Sequence, residues 1–220
     1  MLCTRSYAQE STPCYFDVSL LPASKKNAVY QGTLKQKEDK WEATAYYSNG
    51  NPVMRGNYKD KKLKIRQGDY TLYYPDGSKK AAAYFNDNLP DGVYQEWHPN
   101  GQLSDSGLIH LQYREGLWKT WYPNGYVESS GNYKNGSPDG QWNWYHSNGK
   151  SSTIEKYVNN TLDDLTCFDT LGIETGSNCR IEKKPCPRGE YDFESFIEES
   201  LFYPEEALKK DIEEDVSFEF

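Results

Sequence analysis

Few residues in this chain of 220 could do covalent or acid–base chemistry, and none stands in the frame such chemistry needs. His98 and His146 occupy the place that Tyr74 and Tyr122 hold in neighbouring segments of like sequence. They read as substitutes for a ring, and a lone catalytic or ligand histidine, His110 included, is the poorer reading. Ser106-Gly107 lacks the G-x-S-x-G frame that exposes a serine nucleophile. No glycine loop is spaced to cradle a phosphate. The carboxylates are scattered or gathered in the tail, so an acid/base pair has no assignable members. The cysteines (Cys3, Cys14, Cys167, Cys179 and Cys186) contain no C-x-x-C, which leaves zinc and thioredoxin-like chemistry unsupported. The expectation is a protein that is not an enzyme, with no catalytic residues, no cofactor and no metal.

The remaining chemistry belongs to rings. The sequence holds 19 Tyr, 8 Phe and 6 Trp, while hydrophobic residues make up only 36% and mean hydropathy is −0.94. Aromatic residues bury much area and favour strands, which points to a β protein held by ring packing. The rings recur with a fixed period. Gly68, Gly92, Gly116 and Gly140 are 24 residues apart, and nine residues after each stands a second glycine: Gly77, Gly101, Gly125 and Gly149. The intervening segments are GDYTLYYPDG, GVYQEWHPNG, GLWKTWYPNG and GQWNWYHSNG. WEATAYYSNG, ending at Gly50, precedes them with Trp41 in the first glycine's place, and a worn unit ends in CFDTLG at Gly172.

Such a unit reads as a β-hairpin, with Asn-Gly or Asp-Gly as the turn because both residues tolerate positive φ. Pro75, Pro99 and Pro123 end the incoming strand, and Gly-Asn-Tyr-Lys at Gly56–Lys59 and Gly131–Lys134 opens the exit. Polar loops such as Asn88-Leu89-Pro90-Asp91 lead to the next unit. A lone hairpin cannot bury its rings, so the units must stack on one another. The expected fold is mainly β: an elongated single-layer array, a solenoid of about five to six hairpins, roughly 50–60 Å long at ~4.8 Å per strand.

Two aromatic columns run along it. Tyr70, Tyr94, Trp118 and Trp142 lie two residues after the first glycine; Tyr73, Trp97, Trp121 and Tyr145 lie five after it. The odd difference puts them on opposite faces of a regular strand. The first set is the candidate core column. The second is the candidate partner-binding column, suited to a peptide or a sugar, against the alternative that twist packs both.

The G-x-[YW]-x-x-[YW]-[YH]-[PS]-[ND]-G units resemble the MORN-repeat variant of many bacterial proteins, over roughly residues 40–172. The resemblance implies a hairpin array acting as scaffold or binding platform, with no catalytic residues to carry over. Some bacterial proteins of this type are labelled antitoxin components.

After Gly172 the composition changes, giving four expected segments: a leader remnant and cap (1–27), the array (28–174), a linker (175–190) and a partial domain (191–220). Phe193, Phe196, Ile197 and Leu201 have helical spacing, Pro204-Glu205-Glu206 opens a second helix, and Val216, Phe218 and Phe220 alternate as a strand. FIEESLFYPEEALKKDIEEDVSFEF resembles the start of the TonB C-terminal domain, with Tyr203-Pro204 in place and Glu214 where a glycine is usual. This resemblance implies a periplasmic domain contacting outer-membrane receptors or other envelope proteins, with its remaining strands beyond Phe220.

Residues 191–220 carry eleven acids and two bases, a charge of −9, while the rest of the chain is +1. A nucleic-acid partner would call for a basic face, and the densest basic run, Lys59 to Arg66, reads as a lysine-guarded strand edge. No run of 18 apolar residues exists to cross a membrane as a helix. Ser6-Tyr7-Ala8 fits a small-x-small cleavage site, against an ordinary ragged terminus. Cleavage after Ala8 leaves four cysteines, of which Cys179 and Cys186 are the candidate disulfide in an oxidising envelope. Two functions follow: a periplasmic or cell-envelope interaction scaffold with a TonB-like domain, or a cytoplasmic antitoxin-like protein that masks a partner. Glycan binding by the exposed ladder is compatible with the first.

Overall fold

A computed structural model describes residues 11–177 and Cys179, and every regular element there is a strand. In chain order these are β1 (Thr12–Phe16), β2 (Tyr30–Lys37), β3 (Lys40–Tyr46), β4 (Pro52–Tyr58), β5 (Arg66–Tyr73), β6 (Lys79–Asn86), β7 (Leu89–Pro90) and β8 (Gly92–Trp97). There follow β9 (Leu103–His110), β10 (Tyr113–Trp121), β11 (Val127–Lys134), β12 (Ser137–Tyr145), β13 (Ser151–Val158), β14 (Thr161–Phe168) and β15 (Glu174–Gly176). All belong to one open antiparallel meander in sequence order, with β7 pairing on β6 beside the main path.

The two ends of each strand pair turn by different chemistry. At the Asn-Gly and Asp-Gly end, the glycine N–H bonds back three residues, as from Gly101 to the carbonyl of His98 at 2.8 Å. Only the glycine takes positive φ there (Gly50, Gly77, Gly101, Gly125 and Gly149, 82° to 89°). The sequence reading put Asn and Gly both at positive φ; instead the Asn or Asp holds an ordinary conformation and its carboxamide or carboxylate accepts from the N–H two residues on, as Asn100 does from Gln102. At the opposite end, Asp87-Asn88, Leu111-Gln112, Asn135-Gly136 and Asn159-Asn160 all have positive φ at both positions, the pattern of two-residue primed hairpins. The expected polar loop at Asn88–Asp91 is therefore a tight turn followed by the short β7.

One face of the sheet is packed, although no second layer covers it among the described residues. Tyr70 pairs across with Gly56 and Ala83, Tyr94 with Gly107, Trp118 with Gly131, and Trp142 with Glu155. The rings of Tyr70, Trp118 and Trp142 lie over the bare backbone of Gly56, Gly107 and Gly131 on the preceding strand. A Cβ placed on Gly107 would stand 2.1 Å from the Trp118 indole, and one on Gly131 2.2 Å from that of Trp142. A second row alternates the same way: Gly68, Gly92, Gly116 and Gly140 face Phe85, Ile109, Tyr133 and Tyr157. Rings touch along the array, with Tyr94 stacked on Trp118 at 5.8 Å and Tyr133 edge-on to Trp142 at 4.8 Å. Glycine is needed in these strands for close approach, a role the sequence reading assigned only to turns.

Three further expectations change. Lys59–Arg66 is not a strand edge: residues 59–65 form a connection in which the Asp60 carboxylate accepts from the N–H groups of Lys62, Lys64 and Ile65, and Leu63 is buried. Cys179 bonds to Cys167 across a Cα separation of 5.8 Å, so it is not available to Cys186. The cause is topological: β15 folds back on β14, pairing Cys167 with Gly176 and returning the chain to that sulfur. Finally, β1 adds Thr12–Phe16 to the sheet, with Phe16 buried, so part of the expected cap is a strand. Ser6-Tyr7-Ala8, Cys186 and the TonB-like segment 191–220 lie outside the described residues.

Candidate functional site

A register shift at the end of each repeat's first strand sets the open face. It falls between Leu72 and Tyr73, Glu96 and Trp97, Thr120 and Trp121, and Trp144 and Tyr145. Each is a bulge, one residue longer on the return strand, and bulges re-aim the side chains beside them. Tyr73, Trp97, Trp121 and Tyr145 stand immediately after it, half-buried, while Tyr70, Tyr94, Trp118 and Trp142 are buried on the packed face at 1–2% exposure.

The backbone of the half-buried column is held from the preceding repeat. Tyr47 Oη donates to the carbonyl of Tyr73, Tyr74 Oη to that of Trp97, and Tyr122 Oη to that of Tyr145, each at 2.8 Å. His98 Nε2 meets the carbonyl of Trp121 at 2.6 Å and His146 Nε2 that of Phe168 at 3.2 Å. A carbonyl only accepts, so both imidazoles carry hydrogen on Nε2 in this contact. The histidines thus replace a tyrosine's hydrogen bond as well as its ring. Asn49, Asn100, Asn124 and Asn148 add a parallel ladder, each donating Nδ2 to a carbonyl one repeat onward at 2.6–2.8 Å. His110 is the exception, exposed and 3.0 Å from Asp91.

Beside the column runs a trough floored by short side chains. Thr71 pairs with Ala82 and Ala82 with Gln95, and the groove above them has a volume of about 760 Å³. Tyr73 and Lys79 form one wall, the ammonium of Lys79 lying 5.4 Å from the Trp97 ring centre. Tyr84 and Val93 form the other. At one end Arg55 meets Glu42 at 2.7 Å, and Lys37 meets the same oxygen at 2.8 Å. Burial pushes the Glu42 carboxyl up, but the two cationic hydrogen bonds outweigh it and hold it below its ordinary value.

The wall continues as a row of exposed apolar residues: Tyr84, Val93, Leu108 and Leu117. Sequence reasoning missed these four. Their signal was a departure from the period, because the equivalent positions before and after are Asn57, Asp69, Asn132 and Gln141. The packed face has the opposite surprise. Its row Ala45–Met54–Leu72–Ala81 continues as Glu96–Asp105–Thr120–Ser129. Asp105 Oδ1 is buried with no hydrogen-bond partner; burial first, then Glu96 and Glu128, push this carboxyl up to about 7 against the pull of Arg114. Among the described residues no group of three or more His, Cys, Asp or Glu could hold a metal ion, and no helix is long and apolar enough to cross a membrane.

The family model described as MORN repeat variant matches residues 42–60, 90–105, 114–135 and 138–159. The unit between the first two matches is the one with Asp76 at the turn and Ala83 in the glycine slot. No curated protein matches the chain. One solved structure, a crystal structure of a GtfA/B complex bound to UDP and GlcNAc, is similar at 9% identity and a TM-score of 0.27; the likeness covers 64% of this chain and 26% of that one. This chain therefore spans about a quarter of that one's length.

Proposed function

We propose that this protein is a non-enzymatic interaction scaffold of the bacterial cell envelope. In this reading the MORN-variant array presents the column Tyr73, Trp97, Trp121 and Tyr145 to a protein partner, joined to a TonB-like segment that contacts an envelope protein. The observation that carries the reading is the column itself: half-exposed rings whose carbonyls are each fixed by the preceding repeat. Such preorganised aromatic surface binds with little ordering cost. Four matches to a repeat model support an interaction module. The Cys167–Cys179 bridge supports an oxidising compartment, and the TonB-like wording of residues 191–220 supports a partner in the envelope.

The test is the intact mass of the protein from its native host, with thiol alkylation before and after reduction. A processed chain whose Cys167 and Cys179 react only after reduction is expected. An unprocessed and fully reduced chain, recovered with a co-encoded protein, would move the function to a cytoplasmic antitoxin-like binder.

A further inference from the structure

The groove over Thr71 and Ala82 differs from the rest of the open face because its floor is short and one end is closed. The residue equivalent to Ala82 in the preceding repeat is Arg55, and its ion pair with Glu42 forms that end. At about 760 Å³ the groove falls within the usual range for small-ligand sites, roughly 300–1,000 Å³.

Its lining narrows the ligand class. The strands beneath are paired within the sheet, so a ligand lying on the face is read by side chains. Those on offer are planar, two-atom hydrogen-bonding groups (Asn57, whose Nδ2 also donates to the Asp69 carbonyl at 3.3 Å, Asp69 and Gln95) next to the rings of Tyr73 and Tyr84. Neighbouring hydroxyls of a pyranose match such groups in pairs, and the C–H face of the sugar covers a ring. An extended peptide would leave its own amides to be satisfied by the same few groups. Charge is nearly balanced, with Glu42, Asp69 and Asp91 against Arg55 and Lys79, so neither a polyanion nor a polycation is drawn in.

We propose that this groove binds a short uncharged oligosaccharide, with Tyr73 and Tyr84 as stacking walls and Asn57, Asp69 and Gln95 reading hydroxyls. The site goes beyond the interaction scaffold and needs no protein partner. Isothermal titration of the full chain with cellohexaose, chitohexaose and maltohexaose tests it, beside Ala82→Arg and Tyr84→Ala. Ala82→Arg fills the floor with the side chain that the preceding repeat already accommodates, and Tyr84→Ala removes an exposed wall without touching the core. Binding of at least one hexasaccharide is expected, weakened at least tenfold in both variants with the melting temperature kept. Failure of all three sugars to bind, or binding by Ala82→Arg as tight as by the parent, would overturn the proposal. Should Ala82→Arg not fold, undiminished binding by Tyr84→Ala overturns it equally.

Discussion

Asp105 is the residue least at ease in the structure, and its effect has a definite sign. The equivalent positions hold Met54, Ala81, Ser129 and Thr153, so nothing in the repeat demands a carboxyl. Folding buries it between Glu96 and Glu128, with Arg114 only partly compensating, and its pKa stands at about 7 against an ordinary ~3.9. The folded state therefore holds the proton more tightly than the unfolded chain. The stabilisation is fully present below about pH 4, declines as pH rises from there, and is gone once pH has passed 7. Between pH 6 and 8.5 this one group costs the array about 1 kcal/mol. Thermal unfolding at those two pH values should show the loss, and Asp105→Asn should remove most of it. A pH profile unchanged by Asp105→Asn would mean that Arg114 already keeps the carboxylate ionised.

Strands in this array are specified by where side chains are missing as much as by where they stand. Gly107 is the clearest case: its φ is not positive, and its role is to let Trp118 lie on the backbone. Gly116 is the converse, with φ +65° and open space where a Cβ would go. Gly107→Ala should destabilise by about 1–3 kcal/mol or more, as overpacking does, and Gly116→Ala by only about 1–2 kcal/mol of left-handed backbone strain. Urea unfolding of the two variants checks the order; a larger loss for Gly116→Ala would refute the packing account. Much of this level was legible in the sequence. The period placed the turn glycines and the rings two and five residues after the first glycine, because ring and turn chemistry recur together. The turn at Leu111-Gln112 was not legible, since neither residue favours positive φ and the neighbouring pairings impose it. Nor was the row of Phe85, Ile109 and Tyr133 read as core, because Gly-Asn-Tyr-Lys resembles a turn exit until the strand pairing is known. The Cys167 bridge was hidden for the same reason: Cys186 is nearer to Cys179 in sequence, and only β15 returns the chain to Cys167.

Across the described residues the sheet behaves as a one-dimensional stack, with each strand paired only to its neighbours along the main path. Fourteen strands at ~4.8 Å give a platform about 60 Å long. One row of its packed face is apolar in the first half and polar in the second, where Asp105, Thr120 and Ser129 replace Met54, Leu72 and Ala81 beside the buried rings of Trp118 and Trp142. The last of the described strands, β15, has three residues, and the bridge to Cys179 fastens the chain just beyond it. The two faces differ in what they do for the fold, one holding the array together and the other left open. The most direct measurement compares two double variants, Trp118→Ala/Trp142→Ala and Trp97→Ala/Trp121→Ala, by thermal unfolding followed in far-ultraviolet circular dichroism. Truncating a buried tryptophan costs about 3–5 kcal/mol, so the first pair should abolish the β signal at 25 °C or lower the midpoint drastically. The second should keep that signal and most of the stability. Loss of the β signal on removing Trp97 and Trp121 would contradict the account, for it would show that those rings hold the array together.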